Sequence, residues 1–217
     1  RSHYLNGILD ENGTMVDVDV NVPACKKFNF AFDCVDVIAD KNPNKLAMLW
    51  VAKDCVTEKR FTFGDIKKYS NMTANYFKSL GIGKGDKVVL VLKRHYQFWF
   101  AMMGLEKLGA VAIPATHLLR DHDYEYRFNA AGVKAVFCTS DDDAADECEK
   151  AAKVCGVETL ILCNGSRPGW HDFNEEFKNF SDVFERPEDY ACGYDPMVMF
   201  FTSGTTGVSK GVMLSHR

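Results

Sequence analysis

Between residues 87 and 163, apolar runs alternate with helical periodicity, and that alternation limits the fold more than any other feature of the chain. Residues 87–92 (Lys-Val-Val-Leu-Val-Leu) are a continuous apolar run, the pattern of a strand buried on both faces. Residues 96–108 read as an apolar helix stopped by Gly109, and 110–114 as the next strand. A helix over 124–131 closed by Gly132, a strand over 134–138, a helix over 143–154 closed near Gly156 and a strand over 158–163 follow. Short connections between parallel strands require right-handed crossover helices. The expected class is therefore α/β: an open, doubly wound, mostly parallel sheet with flanking helices. At 217 residues and 47% hydrophobic, the chain suits one large α/β domain or two small ones.

The flanks fit around this core. Residues 1–32 are mixed and read as an N-terminal extension packing on the domain, which itself runs over 33–217. Residues 33–40 read as a short amphipathic helix with Val35 and Ile38 inward, broken by Lys41-Asn42-Pro43-Asn44. Strands at 46–51 and 59–63 suggest a hairpin. From Asp65, the residues Ile66, Tyr69, Thr73, Tyr76, Phe77 and Leu80 recur at helix spacing, and Gly81 stands at the cap. Residues 164–170 are turn-rich and 171–190 polar and peripheral. Residues 195–201 read as a last buried strand, 211–214 as another, and 215–217 as a helix start. Asp141-Asp142-Asp143 stands at an expected helix N-terminus, where carboxylates meet the helix dipole, so capping explains it better than metal binding.

The strand at 195–201 delivers the chain into Thr202-Ser203-Gly204-Thr205-Thr206-Gly207-Val208-Ser209-Lys210. Glycines let backbone approach an anion closely, and consecutive N–H groups form an anion-binding nest. The Thr and Ser hydroxyls add donors, and Lys210 adds a full positive charge. A loop of this kind directly after a buried strand stands at a sheet end, where ligands of open α/β folds bind. The P-loop of the NTPases needs Gly before its Lys and Ser or Thr after it; here Lys210 precedes Gly211, so that motif fails. Gly81, Gly83 and Gly85 fail the dinucleotide fingerprint by spacing. The net charge of -4 gives no general grip on nucleic acid, and no stretch is long and apolar enough for an integral membrane segment. The eight cysteines contain no Cys-x-x-Cys pair and read as reduced thiols of a cytoplasmic protein. His117 and His122 are five apart, off one helix face, so no metal ligand set is expected.

The segment from Thr202 to Gly211 resembles the signature loop of the adenylate-forming (AMP-binding) superfamily, which includes acyl-CoA synthetases, firefly-type luciferases and peptide-synthetase adenylation domains. Arg60-Phe61-Thr62-Phe63-Gly64-Asp65-Ile66 and Leu105-Glu106-Lys107-Leu108-Gly109-Ala110-Val111-Ala112-Ile113-Pro114 resemble two further segments of that family, in order and spacing. Phe28-Asn29-Phe30-Ala31 with the following helix is most similar to the medium-chain acyl-CoA synthetase branch. One departure is visible: Ser209 stands where the family usually has Pro, so loop mobility is expected to differ. The resemblance implies that the chain is part of the large N-terminal domain of an adenylate-forming enzyme. The implied reaction is attack of a carboxylic, fatty acid on ATP to give an acyl-adenylate, then transfer to CoA with release of AMP, pyrophosphate having left first. It implies that Thr202, Ser203, Thr205 and Thr206 contact the β and γ phosphates, that Gly204 and Gly207 permit the backbone path, and that Lys210 screens the pyrophosphate as the catalytic residue. Mg²⁺ is implied as a bridge between phosphate oxygens. The adenine, ribose, acyl and lid residues would lie beyond Arg217, and the chain alone is expected to be inactive. The alternatives are an adenylation domain that loads a carrier protein and a non-catalytic nucleotide-binding module.

Overall fold

The computed structural model describes residues 5–202 and 209–217. Two hairpins precede the main sheet. β1 (Leu5–Leu9) pairs with β2 (Met15–Val20), whose side chains are exposed. The helix α1 (Val22–Cys25), a π-helical turn (Ala31–Asp36) and α2 (Val37–Lys41) lead to β3 (Leu46–Val51), which pairs antiparallel with β4 (Glu58–Thr62). In the turn Val35 is buried as expected, but Ala39 rather than Ile38 takes the next inward place. A π turn shifts the helical phase, so the simple 3.6-residue spacing runs out of step there. α3 (Phe63–Ser79) begins before Asp65 because Thr62 and Asp65 form a capping box. Thr62 Oγ1 accepts from the Asp65 N–H at 3.1 Å, and Asp65 Oδ2 accepts from the Thr62 N–H at 2.8 Å.

The expected alternation follows as β5 (Lys87–Val91), α4 (Gln97–Leu108), β6 (Val111–Pro114), α5 (Asp121–Ala131), β7 (Val133–Cys138), α6 (Ala144–Cys155) and β8 (Thr159–Leu162). Gly109 ends α4 at φ 74°, where an added Cβ would come within 2.9 Å of Ala191. Then come β9 (His171–Asp172), α7 (Phe173–Glu176), β10 (Pro196–Thr202) and β11 (Lys210–Ser215). The main sheet has the order β11-β10-β6-β5-β7-β8-β9, parallel throughout except for β10 with β11.

The apolar strands divide their side chains between two cores. Val88 and Leu90 face α3 and α4, packing with Tyr76, Phe77, Ala101 and Leu105. Val89 and Val91 face α5 and α6, packing with Tyr124, Phe128, Cys148 and Ala152. This is why residues 87–92 read as an unbroken apolar run: a period of two hides when both faces are buried.

Three further expectations are corrected. Residues 171–190 are not wholly peripheral: Phe173 and Phe177 are buried in the first core and stack at 4.5 Å between ring centroids. Their charged neighbours mask two aromatics one helical turn apart. β10 is not a fully buried strand, for it lies second from the sheet edge and only Val198 along it is buried. Finally, Ser215, expected at a helix start, is the last residue of β11 and pairs with Pro196.

Candidate functional site

β10 runs parallel to β6, so Thr202 emerges at the carboxyl edge of the sheet, and β11 turns back from Lys210. Thr202 and Lys210 are register partners, and Thr202 Oγ1 donates to the Lys210 carbonyl at 3.4 Å. Opposed antiparallel residues share a face, so hydroxyl and ammonium leave the sheet on the same side, both exposed. Of the sequence-expected site residues, the structure thus brings Thr202 and Lys210 together. Ser203, Gly204, Thr205, Thr206 and Gly207 lie outside the described residues.

Both ends of that hairpin connection are held by α5. The Tyr126 hydroxyl donates to the Ser209 carbonyl at 2.8 Å. The Arg127 guanidinium lies 5.4 Å from the Phe201 ring centroid, and its Nη2 donates to Ser209 Oγ at 3.5 Å. Nη1 of the same side chain donates to the Asp123 carbonyl at 2.8 Å, which fixes the guanidinium plane. Tyr126 also meets Phe201 edge-on, with ring centroids 6.1 Å apart. Sequence reading missed Tyr126 and Arg127. They are more than eighty residues from Ser209, and nothing local marks them out.

The second feature of the carboxyl edge is a crevice between β5 and β6. β5 continues into α4 on one face of the sheet, and β6 into α5 on the other. Neighbouring strands whose continuations part in this way leave an opening at the switch point, where doubly wound sheets bind ligands. The cavity there is about 430 Å³, with Leu92, Phe98 and Pro114 as apolar wall and Lys93, Arg94 and His117 at its rim.

The aspartate trio belongs to this edge and stands at the N-terminus of α6 as expected, with Asp143 at the N-cap but without a side-chain cap bond. Asp142 Oδ2 instead accepts from Lys93 Nζ at 2.6 Å, and Lys93 holds its carboxyl below the usual range. Lys93 and Asp142 both adopt positive φ, 49° and 56°, which costs strain for residues with a Cβ. Asp141 Oδ2 lies 3.0 Å from His95 Nε2, and Asn164 Nδ2 donates to Asp141 Oδ1 at 3.2 Å. Burial pushes the Asp141 carboxyl up, but His95, Asn164 and Lys93 outweigh it and hold it low. Asp141 and Asp142 thus tie the segment after β5 to the segment after β7, while Asp143 Oδ2 accepts from Arg120 Nη1 at 3.5 Å.

Comparison with known proteins adds to this geometry. A family model described as AMP-binding enzyme matches residues 35–217. Acyl-coenzyme A synthetase ACSM1, mitochondrial, of Homo sapiens is 33% identical over 221 residues, covering 96% of this chain and 36% of the relative. Acyl-coenzyme A synthetase ACSM5, mitochondrial, of Rattus norvegicus is 34% identical over 204 residues, covering 89% and 34%. The crystal structure of the anthranilate CoA ligase AuaEII in complex with anthranoyl-AMP matches with a TM-score of 0.75 at 21% identity, over 91% of this chain and 36% of that one. That likeness shows the α/β fold. The chain spans about a third of the length of the curated relatives it matches.

Proposed function

Because this chain belongs to the AMP-binding enzyme family, we propose that it supplies the phosphate-holding part of an enzyme that activates a carboxylic acid, of the fatty-acid class, and passes the acyl group to CoA. In the first step a carboxylate oxygen bonds to the α-phosphorus of ATP, the bond from that phosphorus to the bridging oxygen breaks, and pyrophosphate leaves. In the second the CoA sulfur bonds to the acyl carbon, the carbon–oxygen bond to AMP breaks, and the thiol proton goes to solvent. The observation that carries this reading is the pairing of Thr202 with Lys210 at the carboxyl edge of the sheet. The exposed Lys210 ammonium is a donor for phosphate oxygens and offsets the charge that grows on the departing pyrophosphate, and the Thr202 hydroxyl joins it once a phosphate oxygen takes its proton from the Lys210 carbonyl. We assign Ser203, Gly204, Thr205, Thr206 and Gly207 to the same phosphate grip on their residue types.

Mg²⁺, when bound, neutralises charge on the phosphate oxygens. Among the described residues no group of three His, Cys, Asp or Glu side chains is placed to hold a metal ion, and Thr202 and Lys210 present donors. The chain's own groups therefore suit phosphate, and ATP would bring the ion with it. Among the described residues no helix is long and apolar enough to cross a membrane. We place the whole protein in the cytoplasm on its cysteine usage, with all eight thiols free. Two of its relatives carry the word mitochondrial in their names, and co-fractionation with a mitochondrial matrix marker would overturn the cytoplasmic placement.

The test uses the full-length protein with acids from acetate to palmitate and aromatic acids, followed by pyrophosphate release and CoA-dependent thioester formation. Release with a fatty acid, completed by CoA, is the expected result. Lys210→Ala is expected to lower the adenylation rate by about 10²-fold, the usual scale for removing a preorganised donor. An unchanged rate would favour a non-catalytic nucleotide-binding module, and adenylate formation without CoA transfer would favour loading of a carrier protein.

A further inference from the structure

The geometry points to Tyr126 and Arg127 as positioning residues for ATP, acting through the two strand ends that carry the glycine-rich connection. The inference rests on the ATP-binding reading above and goes beyond it, for neither side chain belongs to the loop motif.

Phe201 is the penultimate residue of β10, and Ser209 immediately precedes β11. Both are gripped from the same two consecutive residues of α5. Tyr126 holds the Ser209 backbone through its carbonyl, while Arg127 holds the Ser209 side chain and lies over the Phe201 ring. α5 is a rigid platform for this. Tyr124 and Phe128 root it in the second core, and Glu147 of α6 accepts from the Asp121 N–H at 2.9 Å. Arg127 is itself only 11% exposed at its side chain, so its position is set by packing and by the Asp123 carbonyl. A preorganised donor set must be held by a supporting layer of contacts, or its donors drift from the anion.

Ser209 gives the arrangement its particular form. Proline at this position would restrict φ and stiffen the connection from within the backbone. Serine leaves φ free, and here restraint comes from outside: Arg127 donates to Ser209 Oγ, an acceptor that proline lacks. Because the guanidinium is the donor, the serine hydroxyl proton stays available for another acceptor. Backbone stiffness and the Arg127 clamp are thus two solutions to the same problem, and they should substitute for one another.

That substitution is the test, made in the full-length protein by ATP–pyrophosphate exchange together with equilibrium ATP binding. Arg127→Leu is expected to raise KM for ATP by about 10-fold with kcat changed less than about 3-fold, the scale of losing one charge-assisted hydrogen bond. Tyr126→Phe keeps the ring and removes one hydrogen bond, so it is expected to raise KM by about 5-fold and covers the case in which Arg127→Leu fails to fold. In a Ser209→Pro background, Arg127→Leu is expected to raise KM by less than about 3-fold, because the backbone now supplies the restraint. An unchanged ATP KM in both single variants would overturn the inference, as would an Arg127→Leu loss of the same size in the proline background. If the wild type binds ATP without exchange, adenylation fails as a reading and the clamp is still judged, from the binding constants. If the wild type binds no ATP, both fall.

Discussion

Glu106 shows how one side chain can set a pH dependence. It is 3% exposed, and its Oε2 has no hydrogen-bond partner among the described residues. Burial pushes its carboxyl up to about 8, against the opposing pull of the Ala31 N–H and of Lys107. The folded pKa therefore lies above the unfolded value of 4.5, and between the two the folded chain keeps a proton that the unfolded chain releases. Stability from this group is fully present below the unfolded pKa and is lost as pH rises through the folded one. Denaturant midpoints measured from about pH 5 to about pH 9 are expected to fall with rising pH, and Glu106→Gln should flatten the fall. Superimposable slopes for wild type and variant would count against it. A glutamate within an apolar helix is visible in the sequence, yet its burial against the Ala31 backbone is not, because that backbone arrives from a distant segment.

At the scale of elements, Lys107 joins three of them. Its fully buried Nζ on α4 donates to Asp36 Oδ1 of the π turn at 2.9 Å, and to Ser70 Oγ and Asn71 Oδ1 of α3 at 2.9 and 2.6 Å. Burial pushes the Asp36 carboxyl up and the Lys107 ammonium down, and contact between them draws each back. Removing one partner leaves the other buried without compensation. Lys107→Met is accordingly expected to cost about 3–5 kcal/mol of stability, and Asp36→Asn added to it should cost much less than the sum of the single changes. Additive losses in chemical denaturation would show that the node is not coupled. Helix α4 itself was legible from its apolar spacing. Which helices it would clamp was not, since a lysine names no partner until the chain has folded.

At the largest scale, β11 lies at the edge of the sheet formed by the described residues, and that edge is apolar. Phe200, Val212, Met213 and Leu214 are between 41% and 44% exposed, on the two strands at that edge. An uncovered edge strand presents unpaired backbone groups as well as apolar side chains, and such edges pair with other chains. The 217-residue chain by itself is expected to self-associate with rising concentration in sedimentation experiments, and Val212→Lys with Leu214→Lys should suppress this. A monomer up to roughly 100 μM would refute the expectation. The sequence by itself determined the βα alternation, the glycine caps and the residue types at 202–210, because apolar period, glycine φ and donor chemistry are local properties. The tertiary structure decided the rest. It placed β10 beside β6, so that Thr202 and Lys210 meet at the carboxyl edge, and it brought α5 against Phe201 and Ser209. It also paired Asp142 and Asp141, at the N-terminus of α6, with Lys93 and His95. Strand order and contacts across eighty residues depend on how whole faces pack, and packing energy is shared over many side chains rather than written in any one segment.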